Sequence, residues 1–280
     1  MTDVIMTRIR LESFYINKDS RQMFLQTMRT RSAMSISKEN LNIFFIGLAK
    51  DCARSLATCL HGITPLFYRY KVSGVIIENG SEDGTRHLLN QWAMNVGGLK
   101  FANINGSLPQ ERYEKMAFLR NIGLECAQKA QPDIVVMADL DMVSFQGLRT
   151  YEPCKTHSIE TSVGLMPTSI VKDWYPSKPQ GEYAYYDLLA LEYKNGTRPS
   201  WTGSDGVSYP NTSVPILKSQ TCEVAEGFYN SSFGGLGFYR WDVIKDLWYE
   251  GGDCEHVKFN RTAGGTYINP NLVTLYATIP

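Results

Sequence analysis

The stretch Ile134-Val135-Val136-Met137-Ala138-Asp139-Leu140-Asp141 decides how this chain folds. Its apolar run has strand length, and an unbroken apolar run suits a strand covered on both faces. Side chains of an extended chain alternate between faces, so Leu140 turns one way and Asp139 and Asp141 the other. Two hard oxygen ligands thus come together at the strand's end. Such a pair suits Mg2+ or Mn2+ bridged to a diphosphate, because these ions bind through one or two carboxylates and complete their shell with water and phosphate oxygens. Two solvated, turn-forming acids at a strand end would read the same way.

Upstream, strands and helices alternate. Asn42 to Leu48 is a second apolar run of strand length, and Asp51 to Leu60 reads as a helix. Tyr70 to Glu78 is a strand, Ser81 to Trp92 a helix entered through Ser-Glu-Asp-Gly-Thr, and Leu99 to Ile104 a short strand. Glu111 to Ala130 is a long helix with Met116, Leu119, Ile122, Gly123 and Cys126 spaced for one buried face. This alternation predicts a parallel sheet with helices on both faces, in which ligands sit beyond the carboxyl ends of the strands. Asp51, the loop after Glu78 and the Asp139/Asp141 pair all fall at such ends.

Residues 1 to 40 are polar and weakly helical, a leading arm. Residues 41 to 142 form the α/β half. Residues 143 to 280 form a second half, closely packed with the first as one domain, whose stretch from Pro153 to Pro215 is rich in Pro, Gly, Ser, Tyr and Trp. Helices are expected there over Ala184 to Tyr193 and Trp241 to Tyr249. Loop-rich segments on a rigid scaffold are where specificity is carried.

The chain has 280 residues, enough for a sizeable core, and its 28 basic and 28 acidic side chains leave no net field to draw it to nucleic acid or anionic lipid. Any anion site must be local. No run approaches a membrane span, and Met1 to Ser20 lacks the apolar region of a leader, so a cytoplasmic protein is expected. The six cysteines are scattered without a CxxC pair, which argues against a zinc site or a disulfide framework. Asn-x-Ser/Thr sequons stand at Asn79, Asn105, Asn195, Asn211, Asn230 and Asn260.

The turn Glu78-Asn79-Gly80-Ser81-Glu82-Asp83-Gly84-Thr85 allows close approach of backbone to a ligand, and Ser81 or Asp83 can cap the following helix. It is neither a Walker loop nor a GxGxxG fingerprint. Arg112, Lys115, Arg120 and Asn121 lie on the helix before the aspartate pair. A basic residue reaching that cleft would help a departing diphosphate, and Arg120-Asn121 is the favoured pair.

Ala49-Lys50-Asp51-Cys52-Ala53-Arg54, the Glu78-Asn79-x-Ser81-x-Asp83-Gly84-Thr85 turn, Leu119-Arg120-Asn121-x-Gly123 and Met137-Ala138-Asp139-Leu140-Asp141 stand in an order and spacing that resembles the nucleotide-sugar glycosyltransferases of the GT-A fold. Within that class the chain is most similar to the fungal capsule mannosyltransferase group and to the soluble glycosyltransferases that chloroviruses use on their capsid glycans. The resemblance implies a Rossmann-like α/β fold, Mn2+ or Mg2+ held by Asp141 with Asp139 near the ribose or the metal, and a UDP-sugar or GDP-sugar donor. Ala49, Asp51, Arg54, Glu78, Asn79, Asp83, Arg120, Asp139 and Leu140 are the implied donor contacts. UDP-xylose is the donor implied first, a glycan hydroxyl the acceptor, and the host cytoplasm the location for a viral protein.

In the second half, Ser232-Phe233-Gly234-Gly235-Leu236-Gly237 resembles the glycine-rich segment these enzymes place beneath the donor sugar, which makes Gly234 and Gly235 donor contacts. Gly252-Asp253-Cys254-Glu255-His256 resembles the acidic motif that holds the proton acceptor in inverting members, with Glu255 first and Asp253 second. Asp253 and Glu255 also suit an ordinary helix N-terminus. His256 is a lesser metal candidate, and Trp174, Trp201 and Tyr209 are candidates to stack on acceptor sugars. Rival readings are a sugar nucleotidyltransferase, for which Gly47-Leu48-Ala49-Lys50 is a poor triphosphate loop, and a non-catalytic glycan-binding protein.

Overall fold

A computed structural model of the chain describes residues 39–104, 108–153, 156–167, 183–198, 216–219, 222–224 and 227–276. The expected arm, residues 1 to 38, lies outside the described residues, as do Trp174, Trp201 and Tyr209. The α/β half runs β1 (Glu39–Ala49), α1 (Ala53–Arg69), β2 (Tyr70–Glu78), α2 (Thr85–Val96), β3 (Leu99–Asn103), α3 (Arg112–Ala130) and β4 (Ile134–Asp139). Strands β1 to β4 are parallel, in the order β3-β2-β1-β4.

Alternate residues of β1 show why the sheet is covered twice. Phe45 packs edge-on against Phe67 of α1 and Trp92 of α2, whose own rings meet at 5.0 Å. Phe44, Ile46 and Leu48 share a buried cluster with Ala117, Leu119, Leu124 and Ala127 of α3. Gly123 lets α3 lie close, since a Cβ there would come 2.5 Å from Ile46. The buried face of α3 is Ala117, Leu119, Arg120, Gly123, Leu124 and Ala127, which takes in a charged residue the apolar spacing does not predict.

Helix α1 outruns its expected end at Leu60 and continues through Pro65. Ile63, Leu66 and Phe67 extend the same buried stripe, so packing overrides the local proline signal. Gly62 sits where a Cβ would meet the Phe145 carbonyl at 2.6 Å.

The second half is richer in sheet than its sequence texture suggests. It adds β5 (Ser144–Gln146), β6 (Ile159–Pro167), β7 (Tyr183–Tyr185), β8 (Ile216–Ser219), β9 (Cys222–Val224), β10 (Gly227–Tyr229), β11 (Leu236–Arg240) and β12 (Thr266–Leu275), with α4 (Trp241–Ile244) and α5 (Glu255–Thr262). The sheet continues β4-β11-β6-β12-β10, with β5 on β12 and β7 on β6. Strands β1 to β4, β6 and β12 run one way, and β5, β7, β10 and β11 the other. The sheet is thus the mostly parallel one expected of the GT-A class.

Two expected helices are corrected. Ala184 to Tyr193 is strand and turns, because Tyr186 donates its N–H to the Gly164 carbonyl at 2.8 Å and extends the pairing with β6. Of Trp241 to Tyr249 only the first turn is helical, and Asn121 then holds the Tyr249 backbone by a pair of hydrogen bonds, each 2.9 Å.

Candidate active site

The end of β4 is fixed by its neighbours. The Leu140 N–H donates to the Leu48 carbonyl at 2.8 Å and its side chain is buried, while Asp139 donates its N–H to the Gly235 carbonyl at 3.0 Å. Asp139 and Asp141 therefore turn to the other side. Asp141 faces a cleft of about 260 Å3 that it lines with Lys50, Asp51, Cys52, Arg54, Ser55, Asp83 and Tyr276. The protein packed around Asp141 in the cleft, then the Asp139 charge, push its carboxyl up to about 7, although the residue keeps an exposed face. Among the described residues no other side chain donates to it.

The β1–α1 and β2–α2 loops are joined side by side. Asp51, at φ 45°, donates its N–H to Ser81 Oγ at 3.0 Å and accepts the Glu82 N–H at 2.8 Å. Cys52 donates its N–H to Thr85 Oγ1 at 2.8 Å. Asp83 spans two helix starts, accepting the Ala53 N–H at 3.0 Å and the Thr85 N–H at 2.9 Å. Those orphan amides outweigh the burial that opposes its charge, and its carboxyl is held below the usual range. Both Asp83 oxygens thus serve the scaffold. Asn79 continues the strand pairing through Ala49.

Glu78 is buried beneath this turn. It accepts the Ser81 N–H and two bonds from Arg86, at 2.9 and 2.7 Å. Burial works against its charge, but Ser81 and Arg86 prevail and lower its pKa. Arg86, which the sequence did not mark, neutralises Glu78 in place.

Behind the cleft lies a buried charged cluster. Arg120 is 1% exposed, donates from Nε to Glu255 Oε1 at 3.0 Å and from Nη2 to Asp139 Oδ1 at 3.1 Å, and stacks over Phe233 with 4.8 Å to the ring centroid. This charge braces two carboxylates from inside rather than reaching into the cleft. Asp139 is raised by burial, with Arg120 opposing and Glu255 reinforcing the shift. Glu255 is 5% exposed, whereas the Asp253 carboxylate is 63% exposed and pairs with Arg198 at the surface, at 2.6 Å.

His256 lies flat on Phe233, 3.9 Å between ring centroids, and edge-on to Tyr249. Burial, then the Arg120 charge, drives its pKa well below the ordinary value, so the ring is neutral packing and stays out of the cleft.

Gly234 and Gly235 take left-handed backbone angles of 66° and 87°, and a Cβ on Gly234 would come 2.4 Å from the Ser162 carbonyl. Glycine is needed there both for the left-handed angles and for packing, Gly234 against β6 and Gly235 against Met142. The Gly234 N–H donates to Asp187 Oδ2 at 3.1 Å. Burial, then the Asp139 charge, pushes the Asp187 carboxyl up to about 7. Asp187 was not singled out in the sequence; its only signal is an acid placed just after Tyr185-Tyr186 in the irregular half.

Among the described residues no group of three or more His, Cys, Asp or Glu side chains encloses a metal. Asp141, on the cleft, with Asp139 next but one to it and 19% exposed, fits a divalent ion that takes its remaining ligands from water and phosphate.

No protein-family model matches the chain, and no curated protein matches it. Solved structures do. A mannosyltransferase from Pyrobaculum calidifontis, in complex with GDP-Man and Mn2+, is 14% identical over 93% of this chain and 65% of its own, with a TM-score of 0.48. TarS 1-349 of S. aureus in complex with UDP-GlcNAc is 11% identical over 86% of this chain and 59% of its own, TM-score 0.46. GalNAc-T7 with UDP, GalNAc and Mn2+ is 14% identical over 86% of this chain and 45% of its own, TM-score 0.49. The chain thus spans less than two thirds of the length of each of these proteins.

Proposed function

We propose that this protein is a metal-dependent GT-A glycosyltransferase that moves a sugar from a UDP-sugar, UDP-xylose first, to a hydroxyl of a glycan with inversion, in the building of a glycoprotein or capsid glycan. One observation carries the reading. Asp141, at the carboxyl end of β4, opens into the same cleft as Lys50, Asp51 and Arg54 of the β1–α1 loop, where an α/β sheet takes its ligand.

Asp141 and Asp139 are the residues to hold Mn2+ or Mg2+, which supplies Lewis-acid stabilisation of a departing diphosphate. Arg120 fixes the direction of Asp139 through its fork, a bond a flexible lysine would hold less firmly. Lys50 and Arg54, lining the cleft, are placed to neutralise phosphate charge that the metal leaves. Gly234 and Gly235 are assigned to the donor sugar, next to Asp139, whose N–H the Gly235 carbonyl accepts.

The test is turnover of nucleotide sugars with Mn2+ by the wild type and by Asp141→Ala. Metal-dependent release of UDP that is lost in the variant supports the reading. Release of pyrophosphate would mark a nucleotidyltransferase, and glycan binding with no turnover a binding protein.

A further inference from the structure

The glycosyl transfer proposed above needs a carboxylate to take the acceptor's proton, and the structure separates three candidates. Glu255 is buried and bound to Arg120, so its negative charge is already matched by a guanidinium. A carboxylate enclosed in this way has little contact with an entering hydroxyl. Asp253 points to the surface, where Arg198 holds it. Asp187 differs from both. Oδ2 accepts the Gly234 amide, and no cationic side chain pairs with Asp187 among the described residues.

Its place in the fold is well fixed. The Gly234-Gly235 turn bonds Asp187 through the Gly234 N–H and Asp139 through the Gly235 carbonyl, so the two acids hang from one pair of glycines. Tyr186, the preceding residue, is anchored by its N–H to Gly164. The Asp187 carboxylate is part-buried, two residues past the end of β7, and among the described residues only its Oδ2 is engaged, by the Gly234 amide.

We propose that Asp187 is the proton acceptor of the transfer, an assignment that rests on the glycosyltransferase reading. In the step, the acceptor oxygen bonds to the anomeric carbon while its proton passes to Asp187 Oδ1. The bond from that carbon to the diphosphate oxygen breaks, and its electron pair leaves with the diphosphate. Glu255 acts as a positioning residue, setting Arg120 and through it Asp139.

The experiment compares wild type, Asp187→Asn and Glu255→Gln in release of the nucleoside diphosphate, UDP from UDP-xylose and UDP or GDP from a panel of other UDP- and GDP-sugars, with Mn2+ and methyl glycosides as acceptors. Asparagine keeps an oxygen for the Gly234 amide, so the turn survives while the base is lost. Asp187→Asn is expected to lower kcat by roughly 10²–10⁴ with donor KM and Mn2+–UDP affinity within about threefold of wild type. Glu255→Gln is expected to weaken Mn2+–UDP affinity, because it keeps an acceptor for Arg120 but removes the charge that holds the guanidinium between two carboxylates. An active wild type with an Asp187→Asn kcat within threefold of it overturns the assignment alone. A wild type that releases nothing from any donor overturns both the assignment and the glycosyltransferase reading.

Discussion

Arg120 Nε stands 3.0 Å from Glu255 Oε1, joining side chains 135 positions apart and both almost wholly out of water. Through Nη2 the same guanidinium reaches Asp139. The last residue of β4 and the first residue of α5 are thus linked through one cation of α3, so the two halves of the chain meet at Asp139.

Removing one side of such a pair leaves a buried charge with less compensation, which costs about 3–5 kcal/mol. Glu255→Ala is expected to lower unfolding free energy by that order in urea titrations, with an unchanged m-value. A loss under about 1 kcal/mol would mean that water reaches the pair.

The first half of the fold was legible because its signals are local. β2 is found at its expected bounds, and β1, β3, β4 and α3 within a few residues of theirs. Asp139 and Asp141 could be placed at a strand end from alternation alone. β6 was hidden because its buried sequence begins Ile159-Glu160-Thr161-Ser162, whose polar side chains are satisfied inside: Glu160 by the nearby Tyr151 and His157, and Thr161 and Ser162 by partners distant in sequence, Ser232 and then Gly234 and Thr274. Periodicity counts apolar residues, so it leaves Arg120 free for the cleft and cannot show that two acids await it inside. Asp187 needed the β6–β7 pairing to bring it to Gly234.

Asp83 ties the N-termini of α1 and α2 together through its two oxygens. Loss of a capping acid costs about 1 kcal/mol at one helix, and here two are affected. Asp83→Ala is expected to destabilise by roughly 1–3 kcal/mol and to raise amide exchange at Ala53 and Thr85 together. Faster exchange at Thr85 alone would show that the link to α1 contributes nothing.

Asp187 and Asp141 each carry a carboxyl raised to about 7 from an ordinary 3.8. Between those values the folded chain binds more protons than the unfolded one, so stability falls as pH rises through that window and levels off above it. The metal-free wild type is expected to be less stable at pH 8 than at pH 5. Asp187→Asn should flatten that slope by about 1–3 kcal/mol across the window, since one of the two groups no longer ionises. Equal slopes in variant and wild type, from urea melts at several pH values, would remove Asp187 as a source of the effect.

The same proton on Asp141 competes with a metal ion for the carboxylate. A divalent cation binds the ionised form, so below pH 7 one proton must leave for each ion bound, and apparent affinity should fall about tenfold per pH unit. Mn2+ with UDP is the probe, because phosphate oxygens complete the ion's shell and neither partner alone satisfies it. At a ligand concentration near 100 Kd, stabilisation of about 2.7 kcal/mol is expected at pH 7.5, declining steadily toward pH 5.5. Asp141→Asn keeps shape and hydrogen bonding but removes the charge, and should abolish the Mn2+-dependent part of the shift at every pH. A Mn2+ shift that survives in this variant, or one flat from pH 5.5 to 7.5, would place the ion elsewhere than on the β4 carboxylates.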